Sequence, residues 1–168
     1  NAVAPEARQS ILLALEKGEE SVSRLFESNI SQTRVFVYTV PVYRNGEIIG
    51  ALSASDHIEI FSEILSGDTV LGGGGYIHLI GSEGRFLIKS PKMIVKENIP
   101  TIFDGAYLSD SEKETVMTAL TNQERLFSHF KNNGRSYLFL LEPIGINGWY
   151  LLCVNTGEGL AANAHASA

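Results

Sequence analysis

A chain of 168 residues, 44% hydrophobic and with 19 acidic against 13 basic side chains, has the composition of a soluble globular protein large enough to bury a core unaided. The net charge of -6 and the scatter of Lys and Arg argue against nucleic acid as a partner. The single cysteine, Cys153, excludes an intrachain disulfide and a cysteine-based zinc site.

Pro5 to Leu15 reads as a helix: Pro5 suits its first position, Ile11, Leu12 and Leu15 supply apolar spacing, and Gly18 suits the stop. Glu19 to Phe26 is ambiguous between helix and strand. Val35 to Tyr43 and Glu47 to Ser53 are β-rich runs around Arg44-Asn45-Gly46, and Asn-Gly signals a hairpin. Asp56 to Ser66 reads as a short helix, with Asp56 as cap, Glu59 at the capping-box position, and Gly67 after it.

Gly72 to Gly75 marks a joint. Tyr76 to Ile80 and Arg85 to Ile88 follow as strands about the turn Gly81-Ser-Glu-Gly84, and Ser90 to Tyr107 is irregular, broken by Pro91 and Pro100. Ser109 with Glu112 is a capping-box signature for a helix running to about Thr121. Glu124 to Phe130 is a short strand. Arg135 to Asn155 forms a second long hairpin, through Pro143 to Gly148, and the small-residue tail past Gly157 is expected to fray. Two antiparallel groups with segregated helices make the fold class α+β.

Chemical motifs are sparse. The Gly72 to Gly75 run follows a helix, precedes a strand and lacks a closing Gly-Lys, so a joint is favoured over a phosphate loop. His57, His78, His129 and His165 are far apart with no ligand spacing to a second donor. No nucleophile elbow or zinc-protease motif occurs, so nothing supports an enzyme, and no cofactor is implied. Cys153 lies in an apolar run, as a buried inert thiol would.

One face invites a binding reading. Strand alternation puts Tyr76 with His78, and Arg85 with Lys89, leaving Ile77, Leu79, Phe86 and Ile88 for the opposite faces. A solvated sheet face is the simpler account. The sharper one is a helix-covered pocket for an anionic or polar small molecule, joined by Tyr137 and by one of Trp149 and Tyr150.

Three stretches carry a family resemblance. Phe36 to Ser53 resembles the last two strands of the membrane-distal module of double Cache sensor domains. Gly75 to Ile88 resembles the first two strands of their membrane-proximal module, and Tyr137 to Leu152, with its Gly-Trp-Tyr-Leu, resembles that module's closing hairpin. The resemblance spans about residues 5 to 155. It implies PAS-like antiparallel sheets with flanking helices: a partial distal module over 1–66, a complete proximal module over 67–156, and a flexible tail over 157–168.

The function implied is small-molecule sensing on the extracytoplasmic (periplasmic or extracellular) face of the membrane, without catalysis. The chain would be tethered through flanking membrane segments and would feed a diguanylate cyclase, histidine kinase or chemoreceptor output, with the first most similar. The implied partner is a small-molecule ligand, contacted by Tyr76, His78, Arg85, Lys89, Tyr137 and Trp149. A ligand-free homodimerisation module is the competing reading. The Arg-x-Trp-Tyr motif of amino-acid-sensing relatives is not reproduced: aligned on Arg8, the sequence has Ser10 and Ile11 in place of the two aromatics.

Overall fold

The structure, a computed structural model, describes residues 3–65, 75–90, 99–105, 108–132 and 134–156. Gly72 to Gly74, most of the Ser90 to Tyr107 stretch and the tail beyond 156, His165 included, lie outside the described residues. The chain divides into two compact units, Asn1–Ile60 and Phe61–Ala168. Its antiparallel sheets with a few helices make it α+β.

The first unit opens with α1 (Pro5–Lys17), which starts on Pro5 and stops on Gly18 in a left-handed conformation, with the Gly18 N–H on the Ala14 carbonyl. Its buried stripe is Ala7, Ser10 and Ala14, whereas Leu12 and Leu15, two of the apolar residues whose spacing marks the helix, are exposed. Small side chains let the helix lie close to the sheet, and the hydroxyl of Ser10 joins a polar seam there. Ser10 Oγ lies 2.6 Å from Ser21 Oγ and donates to Thr39 Oγ1 at 3.1 Å, while Thr39 Oγ1 is 3.0 Å from Ser53 Oγ.

The ambiguous segment resolves into two-residue strands, β1 (Ser21–Val22) and β2 (Phe26–Glu27), both antiparallel to β3 (Arg34–Arg44). The hairpin partner β4 (Glu47–His57) runs along the other side of β3. Asn45 and Gly46 both take positive φ, 53° and 84°, as a two-residue primed turn demands. Val35, Val37 and Thr39 are buried on one face of β3, while Tyr38 and Val42, with Leu52 of β4, are exposed on the other.

The helix expected over Asp56 to Ser66 starts later, and its expected last residue, Ser66, lies outside the described residues. Asp56 and His57 belong to β4, paired with Phe36 and Val35, and α2 covers only Ile60–Leu65. The Asp56 carboxylate accepts from the neighbouring His57 N–H, and Glu59 pairs with Arg34 at 3.7 Å instead of closing a capping box. Cross-strand pairing with β3 outweighs the local capping signal.

In the second unit β5 (Gly75–Ile80), β6 (Phe86–Ile88), β7 (Leu126–Asn132), β8 (Arg135–Pro143) and β9 (Tyr150–Thr156) form one antiparallel sheet in the order β6-β5-β9-β8-β7. The expected closing hairpin is β8–β9, paired from Tyr137↔Thr156 to Pro143↔Tyr150. Helix α3 (Asp110–Asn122) begins with the expected capping box, Ser109 Oγ accepting from the Glu112 N–H and the Glu112 carboxylate from the Ser109 N–H.

Val116 and Leu120 of α3 share one core with Ile102, Leu108, Ile80, Phe139, Leu141, Tyr150 and Leu152. Tyr150 is fully buried there, its hydroxyl donating to the Leu120 carbonyl at 3.0 Å. Residues 100–102 run beside β6, with Ile102 N–H on the Gly84 carbonyl and Phe86 N–H on that of Pro100. Gly84 has φ +70°, and a Cβ there would meet Phe103 at 2.6 Å, so only glycine fits.

Candidate functional site

Register decides which side chains share the covered face of the second sheet. Residues directly opposite each other in an antiparallel pair point the same way. Tyr76, His78 and Ile80 of β5 therefore face the same side as Val154, Leu152 and Tyr150 of β9, and as Phe139 and Leu141 of β8. Much of that face is the core under α3. His78 is thus not on a solvated surface; it is 0% exposed. The opposite side of β5 is closed as well, with Ile77 and Leu79 buried, so the simple wet-dry alternation fails here.

Phe86 also departs from the expected face. The β5–β6 register shifts between Leu79 and Ile80, so that Ile88 pairs with Leu79 but Phe86 pairs with Ile80. This irregularity turns Phe86 to the His78 side, where the two rings stand edge to face at 5.1 Å. Tyr76 packs against the imidazole at 5.2 Å, also edge to face, and the Lys89 ammonium lies 5.3 Å from the centre of the Phe86 ring. Tyr76, His78, Phe86 and Lys89 form one cluster at the β5–β6 edge.

Within it the imidazole has a defined proton. Nδ1 of His78 accepts the Ser90 N–H at 2.9 Å, so in the neutral ring the proton resides on Nε2. Burial, reinforced by the Lys89 charge, lowers this pKa to about 4, so the ring is neutral at neutral pH. Nε2 is buried and has no hydrogen-bond partner among the described residues. Leaving such a donor unpaired costs about 1–3 kcal/mol, and proteins rarely tolerate it without a reason.

The remaining expected residues lie apart from this cluster. Arg85 is exposed, in an isolated bridge with Thr101, and does not share a covered face with Lys89. Tyr137 is half-buried on the His78 side but two strands away, pairing with Thr156 beyond the Tyr76 end. Trp149 is buried in the turn before β9, at the end where Tyr150 meets Ile80. Phe86 and the Ser90 amide were missed: alternation without the register shift misplaces the first, and no sequence signal marks the second. Cys153 is half-buried rather than fully enclosed, and burial with nearby Glu142 raises its pKa. Among the described residues no group of three or more His, Cys, Asp or Glu could hold a metal, and no helix is long and apolar enough to cross a membrane.

No family model matches the chain, and none of the curated proteins does. Solved structures match over nearly its whole length. The sensory domain of the Campylobacter jejuni chemoreceptor Tlp3 superposes with a TM-score of 0.64 at 14% identity, over 94% of this chain and 56% of that one. The extracellular domain of a candidate histidine kinase, mmHK1S-Z2, gives 0.62 at 14% identity, over 96% and 60%. The ligand-binding domain of the Pseudomonas fluorescens chemoreceptor CtaA, in complex with L-alanine, gives 0.57 at 16% identity, over 95% and 64%. The chain spans between 56 and 64% of the length of these domains. The likeness is one of fold, with an extracellular domain of a histidine kinase and with sensory and ligand-binding domains of chemoreceptors.

Proposed function

We propose that this chain is a small-molecule-sensing domain on the extracytoplasmic face of a membrane signalling receptor, acting without catalysis. The observation that carries the reading is the shared fold with receptor sensor domains, at TM-scores of 0.57 to 0.64. The resemblance of its three patterned stretches to double Cache domains supports it, with 1–66 as a partial distal module and 67–156 as the proximal one. A diguanylate cyclase output fits the closing hairpin best, ahead of a histidine kinase or chemoreceptor. Ligand would act by binding one of two conformations better and shifting their populations.

Amino acids, although one is bound by the CtaA domain, are not the favoured ligand. Ser10, where the amino-acid motif has Trp, is 2% exposed and held in the hydroxyl seam under α1.

A thermal-shift screen of organic acids, amines, sugars and nucleosides on this chain tests the proposal. A ligand present at a hundred times its Kd contributes about 2.7 kcal/mol, which raises Tm by roughly 5–10 °C in a domain of this size. A second reading, a ligand-free dimerisation module, has one observation in its favour. The outer face of the first sheet exposes Tyr38, Val42 and Leu52. A tight dimer in sedimentation, with no stabilisation by any ligand class, would replace the sensor reading with this one.

A further inference from the structure

We propose that Asn29, at the tip of the β2–β3 hairpin, is an acceptor site for an N-linked glycan. The inference goes beyond the sensor reading and rests on it for one thing, the extracytoplasmic face on which such sugars are attached.

The sequence meets the requirement in one place. N-linked transfer needs an asparagine with serine or threonine two positions on and anything but proline between. Of the ten asparagines only Asn29 satisfies this, in Asn29-Ile30-Ser31. Glu27 stands two positions ahead and completes the longer acid-x-Asn-x-Ser form that some transferases demand.

The fold puts this tripeptide where an enzyme can take it. Residues 28–33 connect β2 to β3, and Ser28 closes the connection. Its N–H donates to the Thr33 carbonyl at 2.9 Å, and its own carbonyl accepts the Gln32 N–H at 2.8 Å. Its hydroxyl accepts the N–H groups of Ile30 and Ser31 at 3.2 and 3.3 Å. These bonds fix the backbone of the tip and leave the Asn29 carboxamide outside every hydrogen bond among the described residues.

Asn29, Ile30 and Ser31 are all exposed, Ile30 by 89%, so the tip takes no part in packing the unit. The Ser31 hydroxyl, 2.7 Å from Thr33 Oγ1, stays at the surface as well. Asn155 is the contrast: buried, and paired in β9 with Gly75 on one side and Leu138 on the other, it could be reached only by opening the sheet.

The step forms a bond from Asn29 Nδ2 to the anomeric carbon of a sugar carried on a lipid pyrophosphate. The bond from that carbon to the pyrophosphate oxygen breaks, the lipid pyrophosphate leaves with the electron pair, and the amide nitrogen gives up one proton.

The test has two arms. The folded 168-residue chain is incubated with an oligosaccharyl transferase and a lipid-linked oligosaccharide, and the protein isolated from its own cells is measured by intact-mass spectrometry. The expected result is the added mass of one glycan in both, mapped to the peptide that contains Asn29. Asn29→Gln and Ser31→Ala should abolish it and Ser31→Thr should keep it, all three on an exposed tip where folding is not at stake. A folded chain that gains no mass overturns the proposal, as does a glycan that survives Asn29→Gln. An unmodified native protein recovered from the outer membrane face overturns this inference alone. An unmodified one recovered from the cytosol removes the sensor reading with it.

Discussion

β3 in the first unit and β5 in the second each anchor a sheet, yet they are covered differently. Along β3 burial alternates: Val35, Val37 and Thr39 are buried, while Phe36, Tyr38 and Val40 are partly or largely exposed. Along β5 four consecutive residues, Ile77 to Ile80, are buried. A strand covered on one side can send its polar residues to water. One covered on both sides must satisfy each polar group internally or leave it unpaired. Thr39 is satisfied by Ser10 and Ser53, but His78 only by half.

If this contrast is right, cutting into the second core costs far more than changing the open face of the first sheet. Tyr150→Ala should cost about 3–5 kcal/mol, since it empties a fully buried ring and strips the Leu120 carbonyl of its donor. Trp149 is the sole tryptophan, so its fluorescence in a urea titration reports this unit directly. A loss under 1 kcal/mol would mean that the core beneath α3 is not closed as described.

Next in size is the acid sensitivity of His78. Its folded value of about 4 lies below the ordinary 6.5, so the unfolded chain binds a proton that the folded state refuses. The contribution is fully present above pH 6.5 and is lost as pH falls through about 4, to a total of roughly 3 kcal/mol. Stability curves of the native chain and His78→Gln should converge across this window. Parallel curves would show that the imidazole is solvated after all. Smallest is Leu52→Ser on the outer face, where 66% exposure predicts a change within about 0.5 kcal/mol. A larger loss in dilute monomer would show that this face is covered.

What could be read in the sequence was punctuation. Asn45-Gly46, Pro5 with Gly18, and Ser109 with Glu112 are local chemistry, and each governs the turn, helix or cap expected of it. The misreadings share one cause: a partner distant in sequence. Asp56 looks like a helix cap until β3 claims it as strand. The apolar spacing of Leu12 and Leu15 marks the helix but not its buried face, which close contact with the sheet gives to Ala7, Ser10 and Ala14. At the β5–β6 edge, alternation put Tyr76 beside His78, as their ring contact has it. Phe86 was not legible, because the register shift opposite Leu79 and Ile80 has no signature of its own.

The order β6-β5-β9-β8-β7 carries a kinetic consequence. The last described strand in sequence, β9, is the middle strand in space, and it alone joins the β5–β6 edge to the β7–β8 pair. The β8–β9 hairpin closes locally, whereas docking β9 on β5 must bring together residues such as His78 and Leu152, far apart along the chain. Loop closure of that length precedes any reward from the pairing, so this step is the natural bottleneck of folding. During synthesis His78 therefore waits in water until nearly the whole second unit has been made, and its dehydration is a late event.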